Sequence, residues 1–279
     1  AIFWVRGTMR TFSSNLWGQM PMPDNFIELI SLILENKEGN GCNVSYWRGQ
    51  ADVSWKLDSS IVRKSLRQHP DIKDPDKVEK LISFWEEQML NRAKKNLYHY
   101  EDHGRKISDI ELLAKLQHFG AATRLLDFSK NVLNALWFCV SDKDQANRPG
   151  LLVGIHTNII AGVGENYFDF AQDYSSFCHK LDKKSQIWMI DAPVVTQRIS
   201  AQNSVFLCSK CEQSEHGYFL LPEKEMYLKS IAISPELKTE ALSVLSAHFN
   251  ITPYTVFPDI EGFASANSSK WRFSEFERW

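Results

Sequence analysis

The chain has 279 residues, 43% hydrophobic and 24% charged, with 32 Lys and Arg against 34 Asp and Glu for a formal net charge of -2. That is enough chain to bury a core without covalent staples, and the near balance of charge excludes a surface given over wholly to nucleic acid, though not a local basic cleft. Five cysteines, Cys42, Cys139, Cys178, Cys208 and Cys211, are odd in number and irregular in spacing, which excludes a disulfide framework and points to a reducing compartment.

Residues 1–23, rich in Met, Pro and Ser, read as an irregular N-terminal segment. AIFWVRGTMR lacks the basic-then-apolar order of a signal peptide, and the apolar run from Phe26 to Leu34 is broken by Glu28 and Ser31 and is too short for a membrane span. The expectation is a cytoplasmic protein with no membrane contact. Asp24 can cap a helix with Phe26, Ile27, Leu29, Ile30 and Ile33 as apolar positions, ended by Gly39, Asn40 and Gly41. SYWRGQ then reads as a strand, with Tyr46 and Trp47 favouring extended backbone and Gly49 relaxing it behind Arg48. An arginine there can hold a phosphate or ribose, or pair with a carboxylate; the motif alone supports both.

Asp74-Pro75 starts a helix whose stripe of Val78, Leu81, Ile82, Trp85 and Met89 reads as core packing. Ser108 and Glu111 form the pattern of a capping box, opening a helix that carries Leu112, Leu113 and Leu116 and stops at Gly120. Gln117, His118, Thr123, Arg124, Asp127, Ser129 and Asn131 then crowd a helix end, a connector and the start of the helix at Val132, a setting in which polar side chains can face a cleft. His118 can act as a base near neutral pH or cap carbonyls at the helix end. Arg124 and Asp127 can serve a ligand or pair with each other.

From Gly150 onward, LLVGIH, QIWMID, PVVTQRI, SVFLC, GYFLL and MYLKSIAI read as strands, followed by a helix capped by Ser234 with Leu237, Ala241, Val244 and Leu245 on its apolar face. The expected architecture is one α+β domain over 24–264, helix-rich in its N-terminal half and strand-rich in its C-terminal half, with 265–279 as a tail. Cys208 and Cys211 have the spacing of half a zinc site, but only His216 lies near and Cys178-His179 is a poor second pair, so no metal is expected. The sequence contains no phosphate loop, no dinucleotide glycine turn, no nucleophile elbow and no H-E-x-x-H.

YWRGQ, QHFGAATRLLDFSKNVLNALWF, RISAQNSVF and TVFPDIEGF together resemble the FRG domain, whose first motif reads F/Y-R-G-Q and whose second reads Q-H-Y/H-G-x-P-T-R-L-L-D-W-T/S. Trp47 precedes Arg48 here, Ala122 replaces the usual proline, Phe128 the usual tryptophan and Ser204 the glycine of the third motif. The resemblance spans Phe26 to Gly262. Motif order also resembles that of ADP-ribosyltransferases, which implies a split sheet around a cleft. Carried over residue by residue, it implies Arg48, Asp127 and Gln202 as catalytic residues. It implies Arg48, Gly49, Gln117, His118, Thr123, Arg124 and Ser129 as the residues holding NAD. Trp47 or Phe128 would stack the nicotinamide, unless they belong to the core.

The activity so implied is transfer of ADP-ribose from NAD to a protein or nucleic acid by a toxin or phage-defence effector, with an antitoxin or regulatory partner. Gln202 has an amide where those transferases have a carboxylate, so Asp127, Glu223 or Glu225 would supply the charge. Two other readings remain open: a nucleotide- or nucleic-acid-binding module without turnover, and a nuclease-like toxin in which His118 and Arg124 act on a phosphodiester.

Overall fold

A computed structural model describes residues 9–35, 44–101, 103–161, 173–183, 186–190, 197–222 and 227–267. The strands are β1 (Thr11–Ser14), β2 (Gly18–Pro21), β3 (Val44–Gln50), β4 (Leu126–Ser129), β5 (Gly150–His156), β6 (Ile160–Ala161), β7 (Ile187–Ile190), β8 (Ser204–Cys208) and β9 (Leu228–Ile233). The helices are α1 (Phe26–Leu34), α2 (Ser60–Gln68), α3 (Pro75–Lys95), α4 (Asp109–His118), α5 (Val132–Val140), α6 (Tyr174–Lys183), α7 (Gln197–Ala201), α8 (Pro235–Phe249), α9 (Pro253–Val256) and α10 (Ile260–Ala266). The fold is α+β.

Seven strands form one sheet in the order β6-β7-β8-β4-β3-β5-β9, antiparallel except for the β6-β7 pair. The C-terminal half supplies five of these strands, but β3 and β4 from the N-terminal half sit among them in the middle of the sheet. Strand alternation splits the buried residues between two layers. Trp47, Leu152, Ile231 and Ile233 pack with Leu136 of α5 and Leu237, Ala241 and Leu245 of α8. Tyr46, Leu126, Phe128, Leu151 and Val153 pack instead with Trp17, Met20, Leu57 and Phe219. Each large apolar side chain buried this way contributes about 1.5–3 kcal/mol relative to exposure.

Most helix starts follow the sequence signals. Asp74 accepts from Lys77 N at 2.9 Å with Pro75 in the first turn, Ser108 and Glu111 make the reciprocal capping box, and Ser234 caps α8. Gly120 leaves α4 at φ 84, the left-handed conformation in which glycine is unstrained. The cap of α1 is Asn25, which accepts from Glu28 N, and not Asp24, whose carboxylate is held 2.7 Å from Arg10. α1 ends at Leu34, and Gly39, Asn40 and Gly41 lie outside the described residues.

Three expectations need correction. The described part of 1–23 is not irregular: β1 and β2 form a hairpin, and Trp17 in its turn and Met20 on β2 are buried in the core. PVVTQRI does not run on as a strand, because Gln197 begins α7; residues 193–196 lie outside the described residues. GYFLL is not a strand either: Gly217 makes one isolated bridge to Ser214, and Phe219 fills the core as an irregular segment. In GYFLL the apolar content has no ladder partner and so makes no strand. Among the described residues, no helix is long and apolar enough to cross a membrane.

Candidate functional site

β3 pairs with β5 through six residues but with β4 through one, Trp47 opposite Ser129. Beyond that pair the two central strands part. A cleft of about 800 Å³ opens there, walled by residues 47–51 on one side and Asp127, Phe128 and Ser129 on the other. Its volume lies within the ~300–1,000 Å³ of small-molecule and cofactor sites.

Arg48 Nη1 donates to the Asp127 carbonyl oxygen at 2.7 Å. Its Nε is buried without a hydrogen-bond partner, and no described carboxylate lies within 4.0 Å of the guanidinium. Burial lowers the Arg48 pKa; the Asp127 charge opposes this and Arg63 adds to it. Asp127 is exposed to water through the cleft, with its carboxylate crowded by protein atoms on the other side. Burial raises its pKa against the pull of Arg48 and the hydrogen bond from Gln117 Nε2 to Oδ1 at 2.9 Å. Gln117 is oriented in turn by the Thr123 hydroxyl, which donates to its Oε1.

A second wall comes from the segment leading into α2. Trp55, Lys56 and Arg63 are exposed and line the cleft. Asp58 beside them is buried and accepts from Tyr218 N at 2.7 Å; burial raises its pKa against that bond and the charges of Lys56 and Arg63. On the far side, Arg198 grips Asp259 with two bonds of 2.6 and 2.8 Å and lies 4.8 Å from the Phe257 ring centre. His118 Nε2 is 3.7 Å from Asp259. Burial and Arg198 lower the His118 pKa against the attraction of Asp259.

Arg48, Gly49, Gln117, His118, Asp127, Ser129 and Gln202 therefore share one cleft. Several have structural duties there. Ser129 Oγ donates to the Gln202 carbonyl at 2.7 Å and accepts from Asn131 N. The Gln202 amide donates to Val256 O at 3.1 Å and accepts from Ser204 Oγ at 3.3 Å. Gly49 is required by packing, since a Cβ there would stand 1.9 Å from the Ala135 carbonyl oxygen of α5. Trp47 and Phe128 are core residues, 4% and 2% exposed.

Thr123 and Arg124 do not reach the cleft. Arg124 neither pairs with Asp127 nor is placed to act on a phosphodiester there. Its guanidinium meets Glu86 at 2.6 Å, Glu79 at 2.7 Å, and Ser83 and the Tyr174 hydroxyl at 2.9 Å each, all within a buried network. Glu223 and Glu225 lie outside the described residues. Cys208 and Cys211 are buried, and no described group of three His, Cys, Asp or Glu could hold a metal ion.

Trp55, Lys56, Arg63, Arg198 and Phe257 were not singled out by the sequence reading. The signal for Lys56 and Arg63 is present nevertheless: from 56 to 67 the only acid is Asp58, against four cations.

By fold and site this is an α+β protein with a seven-stranded sheet whose central strands part over a polar cleft. Residues 43–148 match the FRG domain family, so the chain carries an FRG domain, running from β3 through α5. The match takes in Arg48 and Asp127; Arg198, Gln202 and Asp259 lie beyond it. No curated protein and no solved structure matches the chain.

Proposed function

We propose that the cleft binds NAD and that the protein is an ADP-ribosyltransferase. The observation that carries the reading is the adjacency of Arg48 and Asp127 in the split of the sheet. The bond to Asp127 O uses one of the guanidinium's five N–H donors, leaving others for the pyrophosphate. Nicotinamide leaves C1′ as a neutral molecule while positive charge develops on the ribose, as in glycoside cleavage. The Asp127 carboxylate accepts a ribose hydroxyl and stabilises that charge, and the wall of Phe138, Ile199 and Phe257 gives the nicotinamide an apolar face to lie on. His118 and Arg198 close the far end. In a cell such an enzyme would serve as a toxin or defence effector, and induced expression should arrest growth in a way that Arg48→Ala relieves.

The test is nicotinamide release from NAD together with calorimetric NAD binding. Wild type should bind and release, Arg48→Ala should lose binding, and Asp127→Asn should bind without release. Absence of NAD binding by the wild type overturns the proposal. A second reading, nucleotide binding without turnover, is favoured by Gln202, whose amide is bonded to the protein at both ends. NAD binding with no release in the presence of lysate, RNA or DNA would select it.

A further inference from the structure

The lip of the cleft carries charge that the NAD reading does not use. α2 has the sequence SIVRKSLRQ, with Arg63, Lys64 and Arg67 and no acidic residue in its first turn, and Lys56 lies just ahead of it. All four cations are exposed, and none lies within 4.0 Å of a described carboxylate. Arg63 and Arg67 are four residues apart and so share one side of the helix, with Lys64 beside them. Their hydrogen bonds go to neutral groups: Arg63 donates to the Asp58 carbonyl, Arg67 to the Arg63 carbonyl, and Lys64 lies 5.8 Å from the Trp85 ring centre, while the Asp58 carboxylate attracts Lys56 and Arg63 only from beyond ion-pair distance. In a chain of net charge -2 this is a local concentration of one sign.

Trp55 adds a second kind of contact. It is 42% exposed and lines the cleft with Lys56 and Arg63, so an indole face and two exposed cations border the same opening. An aromatic platform next to cations that track a backbone is the combination that binds single strands, where unpaired bases stack and phosphates are neutralised. A duplex keeps its bases stacked on one another and gains only the charge. Lys56 and Arg63 carry the ridge from α2 into the cleft, so a strand lying on it would have one nucleotide at the Arg48–Asp127 end.

We propose that this ridge is the acceptor-docking surface and that the acceptor is a single-stranded nucleic acid, with a base on Trp55 and phosphates along Lys56, Arg63, Lys64 and Arg67. The proposal rests on the transferase reading for its chemistry, but its binding half stands separately. ADP-ribose would pass from the nicotinamide nitrogen to a nucleophile on the strand: the glycosidic bond to nicotinamide breaks, a bond from C1′ to the nucleophile forms, and the nucleophile's proton leaves to Asp127 or water.

Fluorescence polarisation with a labelled 12-nucleotide single strand, its duplex and a multiply phosphorylated peptide tests the surface. The single strand should bind more tightly than either competitor. Lys64→Ala with Arg67→Ala, both outside the cleft lining, should lower the log–log salt slope by about 1.4, about 0.7 per lost phosphate contact, with NAD affinity unchanged. Trp55→Ala should weaken the single strand roughly tenfold and the duplex far less. Equal binding of duplex and single strand, equal or tighter binding of the peptide, or indifference to the paired variant overturns the proposal. NAD turnover by a protein that does not bind the strand overturns it and leaves the transferase standing. Strand binding without NAD binding overturns the transferase and leaves the surface.

Discussion

Arg48 Nη1 and the carbonyl oxygen of Asp127 meet at 2.7 Å across the gap where β3 and β4 stop pairing. A side-chain donor thus occupies a place that a ladder N–H would fill in an unbroken sheet, and the backbone acceptor is satisfied without closing the split. The guanidinium is held at the edge of the opening with donors to spare. The same residue therefore keeps the cleft open and furnishes it.

Asp127→Asn should abolish nicotinamide release while raising stability at pH 7 only slightly, because the carboxylate is exposed to the cleft and solvent screens much of the cost of its charge. Burial raises the Asp127 pKa even with Arg48 and Gln117 pulling the other way, so charging this carboxylate is harder in the fold than in the unfolded chain. The native state then binds the proton more tightly. Stability from this group is full below the unfolded carboxylate value and is lost as pH rises through the folded one. The gain in Tm on substitution should accordingly be present at pH 7 and vanish below about pH 4, which thermal unfolding across that range checks.

The Arg124 network should show the opposite pH dependence. Burial alone would raise the Glu79 pKa, but the Arg124 charge and hydrogen bonds from Cys211 and Arg124 hold it below the usual range. Its contribution is present above the unfolded glutamate value and lost as pH falls through the lower folded value. Arg124→Met strands Glu79 and Glu86 in the core and should cost about 3–5 kcal/mol in urea unfolding. Adding Glu79→Gln and Glu86→Gln should restore part of it, since neutral amides no longer strand charge and their oxygens can still accept from Cys211 N and Arg124 N.

Arg124 marks the limit of what the sequence shows locally, since its partners Glu79 and Glu86 lie 45 and 38 residues away. Caps, the capping box and the stop at Gly120 are local chemistry, and they were legible at residue level. The adjacency of Arg48 and Asp127 was reached through motif resemblance, because a contact between residues 79 positions apart leaves no local trace. On α3 the apolar stripe reads through Val78, Leu81, Ile82, Trp85 and Met89; Val78 and Ile82 are buried as expected, but the buried face also takes in Glu79, Glu86, Leu90 and Ala93. Two glutamates at core positions of a helix look like surface until their arginine partner is known. Trp55 is illegible for the converse reason, since an exposed residue obeys no periodicity.

Gly49→Ala should destabilise the fold by about 1–3 kcal/mol or more and weaken NAD binding as a consequence. The added Cβ would stand 1.9 Å from Ala135 O and 2.7 Å from Cys139 N, both backbone atoms of α5 that cannot rotate away. Relief requires α5 to lift from β3, which moves Trp47 and the adjacent Arg48. A lowered urea midpoint together with weaker NAD binding by the remaining folded protein is the expected pair of results.

Gln202→Glu separates motif order from geometry. Were the residue placed as the acid of a transferase, a carboxylate would increase nicotinamide release. In this fold Gln202 Nε2 donates to Val256 O at 3.1 Å, and the amide oxygen already accepts from Ser204. Glutamate would replace the donor with a second acceptor facing a carbonyl in a buried position, leaving both unsatisfied at a cost of about 1–3 kcal/mol. The expected result is a lower Tm at pH 7 with no gain in release, and partial recovery of Tm in acid as the carboxyl is protonated and regains a donor. A faster enzyme of unchanged stability would return the catalytic role from Asp127 to position 202.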